Sequence, residues 1–165
     1  MSAIADFRII DINKLESLKR VSEIIVKKNF FKKTIIDGYW DFLDSNSTKL
    51  GDFKWSGYIF ADLLVFLQEN KKIDLLISEY DEITNRISEK RGASILVFTL
   101  KHKQDYLDKL KLENFNEAEL ISFNKAFSEN DDPELAKAEM DGIKAIRKGL
   151  MELDTEDKIV LLTVG

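Results

Sequence analysis

The chain has no cysteine, one proline, one histidine and seven scattered glycines among its 165 residues. Without cysteine there is no disulfide, thiolate zinc site, iron–sulfur cluster or cysteine nucleophile, so the fold must rest on its core. Phosphate-binding loops and dinucleotide fingerprints need clustered glycines that let backbone amides approach phosphate, and no such cluster occurs. The single histidine, His102, lies between Lys101 and Lys103, a setting that disfavours both an imidazolium and a bound metal cation. It reads as a surface residue just after a strand. No G-x-S-x-G elbow presents a serine, which sets a Ser-His-Asp mechanism aside. Neither a cofactor nor a metal is expected.

Long hydrophobic runs are also missing. The longest, Tyr58 to Leu67, contains Asp62 and is about half the length a bilayer span needs, so it predicts a buried helix and no membrane partner. The opening MSAIADFRII lacks a basic segment followed by an apolar one, and a cytoplasmic address is expected. Only five of the 25 basic residues are arginines and the chain is acidic overall, at −5, which argues against nucleic acid as a partner.

What is present is charge segregation. Residues 112–141 hold nine acids against two bases, a net −7, among them Glu129, Asp131 and Asp132. Residues 14–33 hold seven bases against two acids, a net +5. Opposed charged faces steer a charged partner more than they stabilise a fold. Aromatic residues are segregated too: nine of 17 fall between residues 30 and 60, including Phe30, Phe31, Trp40, Phe53, Trp55, Tyr58 and Phe60. Trp40 and Phe60 fall on periodic apolar faces and read as core, whereas Phe53, Trp55 and Tyr58 flank a Ser/Gly-rich stretch beside Asp44 and Asp52 and offer a partner-binding patch.

Local patterns predict about seven helices around a small sheet of about three strands, near 7–12, 94–100 and 158–164, in one α+β or α/β, mostly helical domain. Helices are expected over 14–28 from an Asn13 cap, from Thr34 to Asp44, and over 58–69. A further apolar stripe of Ile73, Leu76, Ile77, Tyr80, Ile83 and Ile87 ends at Gly92. Helices near 103–111 and 116–128 precede one that starts at Pro133 behind an Asp cap. Residues 45–57 read as a loop. Asp37, Asp41 and Asp44, at i, i+4 and i+7, would share one stripe of the second helix, where paired carboxylates could hold a hard cation or a proton.

At the level of organisation, a small, acidic, cysteine-free α/β chain with 20 lysines against five arginines, the usage of an AT-rich bacterial genome, resembles bacterial toxin-immunity and orphan accessory proteins. The missing catalytic motifs, the −7 segment and the aromatic cluster lead to the expectation of a non-enzymatic, cytoplasmic protein-binding module, such as an immunity protein that meets a basic toxin through an acidic and aromatic face. Candidate contact residues are Asp37, Asp41, Asp44, Asp52, Phe53, Trp55, Tyr58, Glu129, Asp131 and Asp132. A small-molecule enzyme using carboxylates, or a structural homo-oligomer that buries the aromatic loop, are the alternatives.

Overall fold

A computed structural model describes residues 3–30 and 32–165. Among them, seven α-helices surround a four-stranded antiparallel sheet, and a two-stranded hairpin stands apart. The chain runs β1 (Ala5–Asp11), α1 (Leu15–Val21), β2 (Ile25–Asn29), β3 (Lys32–Ile36), α2 (Tyr39–Asn46) and β4 (Ser47–Asp52), then α3 (Ile59–Lys71) and α4 (Asp81–Arg91). It continues through β5 (Ser94–Phe98), α5 (Leu100–Tyr106), α6 (Glu117–Phe127), α7 (Pro133–Met151) and β6 (Lys158–Val164). The main sheet has the order β4-β1-β6-β5, so the last strand enters between the first and the fifth.

Period-two alternation deals the side chains of this sheet into two cores. On β6, Val160 and Leu162 join one cluster with Ala5, Phe7 and Phe98 beneath α3, α5, α6 and α7. Ile159 and Leu161 join the other with Ile10, Ile95 and Val97 beneath α1, α2 and α4. Helices cover both faces, which explains why residues 159–162 are apolar without interruption. Two glycines are required by this geometry. Gly51, at φ +127°, takes up the extra residue of a bulge between the Asp6↔Asp52 and Arg8↔Lys49 pairs. At Gly142 a Cβ would stand 2.8 Å from Leu63 Cδ2 and 2.9 Å from Ile59 Cδ1, so its absence lets α7 lie close on α3.

Four expected elements differ, three of them for a local reason. The helix expected over 14–28 ends at Val21. Ser22 turns its hydroxyl back to the Lys19 carbonyl, and the β-branched run Ile24-Ile25-Val26 extends into β2. Thr34 is in β3, paired with Lys27, and the next helix starts only after Asp37, whose carboxylate accepts the Tyr39 N–H. The stripe from Ile73 is helical only from Asp81. Before it, Asp74 accepts the Leu76 N–H and Asp81 accepts the Ser78 N–H, side-chain bonds that compete with a helical ladder. The loop expected over 45–57 holds the end of α2 and all of β4. The helix start behind Asp132 and the strand at 158–164 are as expected.

His102 is buried, against its reading as a surface residue. Its Nδ1 accepts the Thr99 N–H at 3.0 Å, which leaves Nε2 as the protonated nitrogen, 3.0 Å from the Ile77 carbonyl. Burial pushes its pKa down, more than the Ile77 bond raises it. The ring thus closes a capping box on α5 and ties down the loop before α4.

One buried carboxyl has an incomplete set of partners. Glu139 of α7 accepts a 2.7 Å hydrogen bond from Asn124 Nδ2 of α6, while Glu139 Oε1 and Asn124 Oδ1 have no partner among the described residues. Burial pushes the Glu139 pKa up to about 7, the Asn124 bond opposes this, and nearby Asp62 adds to it. A proton on the Glu139 carboxyl makes it a donor as well as an acceptor. Since the folded pKa lies above the unfolded one, the native state binds the extra proton between about pH 4.5 and 7, and stability falls as pH rises through that window. The slope is bounded by one proton, about 1.4 kcal/mol per pH unit. In urea unfolding followed across this range, Glu139→Gln, whose amide keeps both the donor and the acceptor, is expected to remove that component of the pH dependence.

Candidate functional site

The alternation that builds the second core also carries polar side chains onto it. Asp6 and Arg8 on β1 and Thr163 on β6 share the face of Ile10 and Leu161, and all three are buried. They lie at the end of the sheet where α2 begins and α4 ends, and there the surface opens into a cleft of about 480 Å³. Its walls are Ile4, Asp6, Arg8, Tyr39, Trp40, Lys49, Arg91, Gly92, Ala93, Thr163 and Gly165.

The cations of the cleft are held in place by carboxylates. Arg8 Nε donates to Asp6 Oδ2 at 2.6 Å, and its Nη2 lies 2.8 Å from Asp44 Oδ1. Burial works against the Arg8 charge, but Asp6 and Asp44 more than offset it and raise its pKa. Arg91 grips Asp37 with both Nη atoms, at 2.8 and 3.0 Å, and its guanidinium lies 4.6 Å from the Tyr39 ring centroid. That fork holds the Asp37 carboxyl below its ordinary range, against the opposing effect of burial. Lys49 bonds Asp52 at 2.6 Å and lies 3.8 Å from Asp6.

Tyr39 forms the buried side, its hydroxyl 3.4 Å from Thr163 Oγ1. Burial pushes the pKa of the phenol up. Trp40 packs edge-on against Tyr39 at 5.1 Å and is 43% exposed, a correction to its reading as core; Phe60 is core as expected.

The residues offered from sequence divide among separate surfaces. Asp37, Asp44 and Asp52 ring the cleft as the partners of its cations. Asp41 is exposed on α2, and Asp37, lying before that helix, does not share its stripe. Phe53 and Trp55 are half-buried against the other core. There Phe53 meets Phe60 and the Trp55 indole donates to Asp141 Oδ2 at 3.0 Å. Tyr58 is exposed beside a shallow apolar groove with Ala61, Leu64 and Leu96. Glu129, Asp131 and Asp132 lie in the turn between α6 and α7, with Asp131 paired to Lys125 and Asp132 capping α7. Asp6, Arg8, Lys49, Arg91 and Thr163 were not singled out. The available signal is the Asp6-x-Arg8 spacing, which places opposite charges on one face of an otherwise apolar strand.

A second feature is the hairpin, where the sequence predicts the end of an amphipathic helix. Every residue of β2 and β3 is exposed. Near its base Ile24, Ile25, Val26, Ile35 and Ile36 are between 43% and 59% exposed, and Phe30 at the turn is 101% exposed. Phe31, counted with the aromatic cluster, lies outside the described residues. Towards the turn are Lys27, Lys28, Lys32 and Lys33, with Lys28 directly across from Lys33 and no ion pair to any of the four among the described residues.

No helix among the described residues is long and apolar enough to cross a membrane. A buried ion pair is destabilising when one partner is removed and the other is left charged. Arg8→Met is therefore expected to cost about 3 kcal/mol in denaturant unfolding, and the double variant Asp6→Leu with Arg8→Met to recover most of that loss. Comparison with protein-family models, curated protein sequences and solved structures returns no match.

Proposed function

We propose that this chain is a non-enzymatic binding protein whose contact surface is the β2–β3 hairpin, and that its partner is a protein with an apolar strip flanked by acidic residues. The observation that carries this reading is a two-stranded hairpin, both of whose strands are exposed at every residue, that combines four exposed aliphatic side chains with four lysines that have no ion pair among the described residues. A hairpin of two strands is marginal in water unless something packs on it. The directly opposed Lys28 and Lys33 are a standing repulsion that an acidic partner would relieve.

Charge and shape together favour a protein over a lipid surface. The aliphatic residues lie at the base and the lysines towards the turn. A flat anionic membrane touched by the turn would reach the lysines and Phe30 and leave the apolar base in water. A protein laid along the roughly 16 Å of the five paired positions covers both. The expectation of a toxin as the partner of a cytoplasmic bacterial immunity protein belongs to this reading. The contact it would use changes from an acidic face to a basic one, because the acidic candidates are spread over separate surfaces and several already serve as ion-pair partners.

The test is calorimetric titration with the toxin-like product of the neighbouring gene at low and high salt. Binding is expected to weaken steeply with salt. Lys28→Glu places an acid opposite Lys33, so it is expected to stabilise the hairpin by a few tenths of a kcal/mol while weakening binding at least tenfold. No binding at low salt, or wild-type affinity in Lys28→Glu, overturns the proposal. Light scattering of the isolated protein separates capture of a partner from pairing between copies.

A further inference from the structure

We propose that the cleft at the end of the main sheet is a binding site for a small planar aromatic carboxylate, distinct from the hairpin and independent of what the hairpin binds. The volume, about 480 Å³, falls within the range of roughly 300 to 1,000 Å³ that small-molecule sites occupy. One carboxylate, Asp6, lines the cleft against three cations, Arg8, Lys49 and Arg91. The other carboxylates of the network, Asp37, Asp44 and Asp52, are not part of its wall. They pair with the cations from outside and fix their positions, so an entering anion meets charges that are already oriented.

Residues that line the same space have unused capacity for hydrogen bonding. Asp37 takes one N–H from each Nη of Arg91, which leaves three of the five guanidinium N–H groups for a ligand. The Tyr39 and Thr163 hydroxyls are 3.4 Å apart, well beyond the 2.7–2.8 Å at which such bonds are strong, so each can exchange this contact for a better one. Together they offer a fork and two hydroxyls, a pattern suited to a carboxylate.

Flat surfaces argue for a flat ligand. Trp40 presents an indole that is nearly half exposed, braced edge-on by Tyr39, and a ring laid on it gains offset stacking without displacing a core residue. Asp6 in the wall opposes a second negative charge, which favours a carboxylate over a phosphate dianion.

Isothermal titration with benzoate tests this directly, with benzamide, cyclohexanecarboxylate and inorganic phosphate as the other arms. Benzoate is expected to bind with a dissociation constant of about 1 mM or below, and benzamide, cyclohexanecarboxylate and phosphate at least tenfold more weakly. Trp40→Ala, which removes an exposed ring, and Arg91→Lys, which keeps the charge but loses the fork, are each expected to weaken benzoate at least fivefold. Unchanged thermal unfolding of Trp40→Ala shows that its loss is not a folding defect. Benzamide binding as tightly as benzoate, phosphate binding more tightly, or no saturable benzoate binding overturns the assignment.

Discussion

Burial of β6 on both faces is the constraint from which the rest of the molecule follows. Four successive residues, Ile159 to Leu162, are almost fully removed from water, two into each core. A strand can meet that condition only as an interior member of a sheet with a complete layer on each side, and β1 and β5 supply its neighbours by antiparallel pairing. Each covering layer must then be long enough to span the sheet. The layer of α3 and α7 reaches Val164 at the end of β6, while the layer of α1, α2 and α4 leaves Thr163 and the adjacent Asp6 and Arg8 at the cleft wall. The cleft is the place where one layer stops short.

That shortfall explains the composition of the cleft. Polar residues at strand positions facing a covering layer cost desolvation unless they are paired, and here they are paired in a chain: Lys49 to Asp6, Asp6 to Arg8, Arg8 to Asp44. The outer two links tie β1 to β4 and to α2 and cross from buried to exposed, while the middle one lies within β1 between two buried side chains. An apolar replacement of the pair would fill the same strand positions, and the Arg8–Asp6 contact, made within β1, is weak evidence for stability as such. Its consequence is geometric: it fixes where positive charge faces the open space.

Much of the layered scaffold was legible in the sequence because its signals are local. Lys158 and Thr163 apart, the strand at 158–164 is apolar, Asp132-Pro133 marks a helix start by capping chemistry, and the helix around Phe60 to Leu67 is apolar on nearly every side. The hairpin was not legible, since Leu18, Val21, Ile24 and Ile25 fall at helical spacing up to the residue where β-branching wins. Opposite spacing errors hid the site. Asp37, Asp41 and Asp44 suggest a carboxylate stripe only on the premise of a helix from Thr34, and nothing in the sequence neighbourhood of Arg91 ties it to Asp37, 54 residues earlier. Pairings over such separations are set by the sheet order, which no local pattern encodes.

Asp37 shows how closely the hairpin and the cleft are joined. It follows Ile36, the last residue of β3, and its carboxylate both accepts the Tyr39 N–H that opens α2 and holds both Nη atoms of Arg91. The chain leaving the hairpin is therefore fixed by the same group that orients a cation of the cleft and, through the start of α2, places Tyr39 and Trp40. A force on the β3 leg of the hairpin meets this residue first, and the fork geometry resists it, because a bidentate guanidinium–carboxylate pair is strongly directional. What the sequence offered as an acid for chemistry is in the structure the joint between two surfaces. Its low pKa follows from that duty, since a carboxylate held by a guanidinium keeps its charge through the range in which a proton-transfer group would have to lose it.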